Sequence, residues 1–132
     1  MTRSPSSALW LLCAAHFMTV LDLTVVNGAL EPVGRDLGAS QATLQWVIGA
    51  YAIAFGGFLL AGGRTADILG PRRTFAVGSL AFALASLACA AAPDAISLVV
   101  ARGAQGLSAA FLEPAAVALL AAGALAQTLG PQ

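Results

Sequence analysis

The chain has 132 residues, of which 59% are hydrophobic and 9% charged, with a formal net charge of zero and no lysine. A soluble domain carries charge on about a quarter of its residues, so this composition, with a mean hydropathy of +0.87, excludes an ordinary water-soluble fold. It has no basic face or tail of the kind that binds nucleic acid. Apolar runs of roughly 20 residues point instead to membrane-crossing helices.

Residues 1–7 are polar and include Arg3. The apolar run from residue 8 to 30 exceeds the ~7–15 residues of a secretory signal core and lacks a small-x-small cleavage pattern. It is therefore read as a retained first span with a cytoplasmic amino terminus, ending at Pro32. Within it, Asp22 would cost a few kcal/mol on insertion scales if unpartnered, which marks it as functional. At about 100° per residue, Asn27 lies far around the helix from Asp22, and Thr24 adds a further polar edge. His16 falls on the Asn27 side and is read as a buried, hydrogen-bonded histidine rather than a proton relay.

Residues 31–43 form a short polar loop in which Ser40 is a plausible helix cap. The second span covers residues 44–62, with Trp46 and Tyr51 expected near its outer end, where amphipathic rings favour the interface. Gly49, Ala52, Gly56 and Gly63 form a strip of small residues that suits close helix packing. Residues 63–73 read as a connecting loop containing Arg64, Asp67, Arg72 and Arg73. Its charges must lie in water, and its arginines place it on the cytoplasmic side. Asp67 is expected to cap or brace a helix end, and Arg72 and Arg73 to meet carboxylates or lipid phosphate.

The third span covers residues 74–92, with Pro71 at or before its first turn. Pro93 and Asp94 make a tight outer turn. The fourth span runs from residue 95 to about 120. It carries Arg102, Gln105, Gly106, Ala109 and Glu113 on one side of an otherwise apolar helix. Arginine keeps its proton in proteins, so Arg102 needs a partner, and Asp22 is the candidate across the bundle. Glu113 lies about 16 Å along the helix from Arg102, too far to pair with it. It either lines a cavity or approaches the cytoplasmic interface, and Pro114 is expected to bend the helix beside it. Cys13 and Cys89 sit in different spans at opposite ends and are expected to be buried and unpaired.

These residues carry a family resemblance. Gly63, Asp67, Gly70, Arg72 and Arg73 resemble the loop between the second and third helices of the major facilitator superfamily, with Pro71 at a position commonly basic there. LDLTVVNGAL around Asp22 resembles the first-helix motif of the drug/proton antiporter branch with fourteen spans, with Glu31 in place of its proline and Pro32 following. RDLGAS and QWVIGAY also look like that branch, although Gly49 stands where members often carry a polar residue. Arg102–Gly106 is similar to its fourth-helix Arg-x-x-Gln-Gly motif.

The resemblance covers residues 9 to about 120. It implies an all-α polytopic membrane fold of about four transmembrane helices, matching the start of the N-terminal half of a major facilitator. It also implies proton-coupled efflux of a small hydrophobic compound from a bacterial inner membrane, with Asp22 and Arg102 in proton coupling and Asn27, Gln105 and Glu113 as candidates for the substrate cavity. A complete member has many more helices around a site between two halves, so the sequence reads as an N-terminal fragment not competent for transport alone, whose partner would be the missing part of the transporter. A small oligomeric exporter, like the four-helix small multidrug family, fits the size but not the Asp67 loop or the Arg102 motif. A non-transporting partner of other membrane helices is a third reading. No nucleophile–base set, metal-ligand cluster or phosphate loop is present in the sequence, so no enzyme, cofactor or metal is expected.

Overall fold

The computed structural model describes residues 5–130 as four helices joined by very short connections. They are α1 (Pro5–Leu37), α2 (Gln41–Leu69), α3 (Pro71–Ala90) and α4 (Ala95–Thr128). Each is long and apolar enough to cross a membrane. At 1.5 Å per residue, the shortest, with 20 residues, spans about 30 Å, the thickness of a bilayer's hydrocarbon core. The others project beyond it.

The helix ends follow local chemistry and differ from the sequence expectation in three places. One is the end of α4, which continues past the expected stop near residue 120 to Thr128. α1 does not stop at Pro32 but continues to Leu37. A proline inside a helix removes one N–H donor, and here the turn beyond it is braced by an ion pair between Glu31 and Arg35. The true stop is Gly38, at φ 62°. Its N–H reaches the Arg35 carbonyl, and the N–H of Ala39 reaches that of Gly34, the paired bonds of a Schellman ending that favours glycine. Ser40 then caps α2 as expected, accepting the Thr43 N–H at 3.3 Å.

The third difference is the connection expected over residues 63–73, which is nearly all helix. Gly63, Arg64 and Asp67 belong to α2, and Arg72 and Arg73 to the first turn of α3. Gly70, at φ 92°, forms the break, with Pro71 at the start of α3. Asp67 caps neither helix, and its exposed side chain has no hydrogen bond or ion pair among the described residues. On the far side, Asp94 caps α4 by accepting the Ser97 N–H at 2.7 Å.

Residue pairings fix the directions. Asp22 meets Arg102 and His16 meets Glu113, so α1 runs antiparallel to α4. Cys89 meets Gln105, and Gly78 lies against Leu112, so α3 is also antiparallel to α4. α4 is the central helix, packed chiefly against α2 and α3. Its buried residues include Ala101, Arg102, Gln105, Ala109, Leu112 and Ala116, and Tyr51, Phe82, Ala109 and Leu112 form the apolar centre.

Glycine permits the closest approach between α2 and α4. A Cβ on Gly106 would lie 2.3 Å from the Tyr51 carbonyl oxygen, and one on Gly62 would lie 1.9 Å from that of Ala110. Pro114, four residues after Ala110, supplies no N–H to that carbonyl, so the Ala110 oxygen is left to face the Gly62 backbone. The strip expected to pack differs from this face. Ala52 and Gly56 are exposed, a Cβ on Gly56 would meet open space, and one on Gly49 would meet only Trp46 of the same helix at 4.0 Å. Of the strip, Gly63 alone approaches α4, where a Cβ would lie 3.9 Å from Pro114. The buried face of α2 is Leu44, Val47, Tyr51, Gly62 and Ala66, set by the phase of the large residues.

Candidate functional site

Arg102 is the largest fully buried side chain in the bundle, only 1% exposed. Its guanidinium is a planar fork of five N–H donors and no acceptor, and the bundle supplies acceptors on three sides. Nη1 donates to Asp22 Oδ2 at 2.5 Å and to Gln105 Oε1 at 2.8 Å. Nε donates to the Val47 carbonyl at 3.2 Å. Gln105 in turn donates from Nε2 to the other Asp22 oxygen at 3.0 Å. The pair is therefore closed into a ring in which both carboxylate oxygens and the glutamine amide are used. Cys89 Sγ donates to Gln105 Oε1 at 3.5 Å, and the Tyr51 ring lies below the guanidinium, 4.4 Å from its carbon to the ring centroid.

The position of the site follows from helix phase. Arg102 and Gln105, three residues apart, share one face of α4, and the same face buries Gly106 and Ala109. Val47 and Tyr51, four apart, do so on α2. Asp22 reaches them from α1 and retains 18% side-chain exposure, whereas Arg102 has almost none. That exposure opens onto a cavity of about 210 Å³ lined by Asp22, Arg102, Gln105, Cys89 and apolar side chains such as Val26 and Leu30. A carboxylate at the edge of an apolar cavity, held by a cation that cannot lose its proton, can exchange its charge only by taking up a proton itself.

The remaining expected residues fall elsewhere. Asn27 donates to the Leu23 carbonyl at 2.9 Å on an exposed face. It lines a separate cleft between α1 and α2 with Glu31, Gln41 and Gln45, so it does not join Asp22. Glu113 lies in the seam between α1 and α4, where His16 Nδ1 is 2.8 Å from its Oε2 and the Thr19 hydroxyl is 2.6 Å from its Oε1. His16 is not buried: its side chain is 59% exposed. Cys13 is likewise exposed, while Cys89 is partly buried, and both are free thiols. Neither the backbone acceptor at Val47 nor Tyr51 could be placed at the site from composition. The available signal was their spacing, which puts the chain's sole tyrosine on the same helical face as Val47 and Phe55.

The charges outside the spans divide between the two ends. The Gly70 end carries Arg64, Arg72 and Arg73 against Asp67, and the opposite end carries Glu31, Asp36 and Asp94 against Arg35. A bundle of four apolar helices with a buried, cross-linked ion pair and this end-to-end asymmetry defines an integral membrane protein. Residues 12–124 match the Major Facilitator Superfamily, and the chain belongs to that family. It is 60% identical over 107 residues to the puromycin resistance protein pur8 of Streptomyces alboniger, covering 81% of this chain and 21% of that protein. It is 48% identical over 119 residues to the cephamycin export protein CmcT of Amycolatopsis lactamdurans, covering 90% and 24%. With the lincomycin resistance protein of Streptomyces lincolnensis it shares 38% identity over 120 residues, covering 91% and 25%. The chain thus spans between a fifth and a quarter of the length of these relatives.

Proposed function

We propose that this chain forms part of a proton-coupled exporter of small, predominantly apolar compounds in a bacterial inner membrane. Asp22 is its proton-binding group and Arg102 the fixed counter-charge. The observation that carries this reading is the ring formed by Asp22, Arg102 and Gln105 at the edge of an apolar cavity. When Asp22 is ionised, the ring is closed. When Asp22 binds a proton, its attraction for Arg102 falls and the guanidinium keeps Gln105, Val47 and Tyr51 as partners. Two such arrangements of one element are what alternating access requires. The puromycin, cephamycin and lincomycin proteins suggest antibiotic-like cargo, and an apolar cavity wall suits it.

The four helices expose long apolar faces, including Trp10, Phe17, Leu60 and Val77, which suit contact with lipid or with further helices. In this reading the transport path is shared with helices of the kind that the greater length of the relatives supplies. The arginine-rich end is cytoplasmic, and the amino terminus with it, by the preference of short cytoplasmic loops for arginine. Membership of a family of transporters weighs for this reading over a self-contained small exporter, a passive helix partner or an enzyme.

The test is proton-driven efflux by the intact transporter containing this chain, compared at matched amounts in the membrane. Asp22→Asn abolishes efflux driven by a proton gradient, and Asp22→Glu retains a measurable part. Full proton-driven efflux with Asp22→Asn would remove Asp22 from the coupling role.

A further inference from the structure

The His16–Thr19–Glu113 cluster has no role in the ring around Arg102. It lies in the seam between α1 and α4, about 16 Å along α4 from Arg102 at 1.5 Å per residue. Its three side chains leave little choice of partners. Glu113 Oε2 is 2.8 Å from His16 Nδ1, and Glu113 Oε1 is 2.6 Å from the Thr19 hydroxyl. That hydroxyl is also 2.7 Å from the His16 carbonyl. A hydroxyl has one proton to give, so Thr19 cannot donate to both acceptors at once. With Glu113 ionised, Thr19 donates to the carboxylate. With Glu113 protonated on Oε2, that oxygen donates to His16 Nδ1 and Oε1 still accepts from Thr19; with the proton on Oε1, the carboxyl donates to Thr19 and Thr19 to the carbonyl. The geometry accommodates both protonation states of the acid without moving a side chain.

We infer that His16 and Glu113, steadied by Thr19, form a second proton-binding site, distinct from Asp22 and Arg102. The proton balance is simple. In the unloaded cluster Glu113 is a carboxylate and His16 is neutral with its proton on Nδ1, a net charge of −1. A proton arriving at Nε2 gives an imidazolium–carboxylate pair of net charge zero. Transfer of the Nδ1 proton to Oε2 then leaves a neutral imidazole protonated at Nε2 and a neutral carboxylic acid. The exposures set the direction of loading: the His16 side chain is 59% exposed and that of Glu113 only 16%. The imidazole is thus the outer member and the carboxyl the inner one.

Few other charges bear on the cluster. α1 contributes Asp22, six residues beyond His16 and about 9 Å along the helix. α2 contributes Tyr51 and carries Arg64 and Asp67 near its end. α3 carries Arg72 and Arg73 in its first turn. All four of these end residues are exposed, and none forms an ion pair with Glu113 among the described residues. The site stands whether or not Asp22 couples transport, because it shares no hydrogen bond with the ring at Arg102.

The chain's sole histidine and its two glutamates, Glu31 and Glu113, make the test direct. The full 132-residue chain, labelled with 15N in histidine and 13C in the glutamate carboxyls, is reconstituted in lipid nanodiscs and followed by solid-state NMR between about pH 9 and pH 4. We expect dipolar coupling between Nδ1 and one glutamate carboxyl in the unsubstituted chain, and imidazole and carboxyl signals that change over the same pH interval. Glu113→Gln moves the imidazole transition by about tenfold in proton concentration, as loss of a charge in contact should, whereas Asp22→Asn leaves it within about twofold. Absence of the dipolar coupling in the unsubstituted chain overturns the proposal even where Glu113→Gln fails to fold. So does an imidazole transition that is the same with and without the Glu113 carboxylate.

Discussion

Arg102 rests its guanidinium on the face of Tyr51, 4.4 Å from the ring centroid, on the side of the cation that no hydrogen bond can serve. A buried guanidinium has acceptors only around its edge, and its flat face needs either water or a π-system. The contact explains why the tyrosine is 4% exposed and not at the interface, where an amphipathic ring would ordinarily settle.

The ring, and not the hydroxyl, makes this contact. Tyr51→Phe should therefore leave stability within about 0.5 kcal/mol, the ordinary range for a change that removes no buried partner. Tyr51→Leu should cost about 0.5–2 kcal/mol from loss of the π-face, in addition to any packing change. Unfolding of the purified chain by a denaturing detergent in mixed micelles, followed by circular dichroism, distinguishes the two. Equal stability of the Phe and Leu variants would show that the ring contributes only volume.

The α2–α4 seam gives a second expectation. At Gly62 and Gly106 the neighbours of an added Cβ are backbone atoms of the facing helix, which cannot rotate away. Gly62→Ala and Gly106→Ala should each force the helices apart, at a cost of about 1–3 kcal/mol or more. Gly56→Ala, which meets open space, should instead gain up to about 1 kcal/mol from helix propensity. The same detergent titration checks the sign. A neutral Gly106→Ala would mean that the helices are not in contact there.

Much of this fold was legible in the sequence, for reasons that can be named. Four apolar runs separated by polar breaks give four helices, because a bilayer leaves the backbone no other way to satisfy itself. The Asp22–Arg102 contact was legible because two ionisable groups in apolar helices have few alternatives to one another. The stop at Gly38 in place of Pro32 was harder to read. Proline in a helix costs one hydrogen bond without ending it, whereas the left-handed Gly38 turns the chain out of the helix. The packing face of α2 was misread because small residues were counted without the phase of Leu44, Val47 and Tyr51, which bury the opposite side. His16 and Glu113 meet across 97 positions of sequence, and no local pattern encodes such a pairing.

The orientation proposed above rests on the charge division between the ends. With Cys13 and Cys89 replaced by serine, single cysteines at Asp36 and Ile68, both exposed and close to opposite helix ends, should react with a membrane-impermeant maleimide from opposite sides. The Asp36→Cys chain labels in intact cells, and the Ile68→Cys chain only after permeabilisation. Labelling of both from outside would refute a cytoplasmic Gly70 end.

Asp94 sets a pH dependence outside the bilayer. The Ser97 backbone N–H, and after it the Ser97 side chain, hold its carboxyl below the ordinary value of 3.8. A carboxyl depressed in the folded state binds protons more readily when unfolded. Its stabilising contribution is therefore fully present above about pH 4 and lost as the pH falls through the folded value. Asp94→Asn can still cap the helix but cannot titrate. The difference in stability between the two chains should shrink on acidification below about pH 4, and detergent unfolding at several pH values reads it. A difference independent of pH would assign the cap no ionic part.

The Asp22–Arg102 pair can be separated from its surroundings by a double-mutant cycle, and the environment of each partner predicts an asymmetry. Asp22→Asn leaves Arg102 charged and buried, since arginine does not give up its proton. Its remaining partners are Gln105, the Val47 carbonyl and the Tyr51 face, none of which is an anion. The loss should approach the ~3–5 kcal/mol typical of breaking a buried pair from one side. Arg102→Met leaves a carboxylate that still holds the Gln105 amide, faces the cavity and can neutralise itself by binding a proton. It should cost less. The double variant Asp22→Asn, Arg102→Met removes the cation together with its need for an anion, so its cost should fall short of the sum by about 0.5–3 kcal/mol. Detergent unfolding of the four chains supplies the cycle. Costs that add to within about 0.5 kcal/mol would mean that Asp22 and Arg102 are neighbours without being partners. In that case Gln105, which touches both, would be the group that holds the three helices in register.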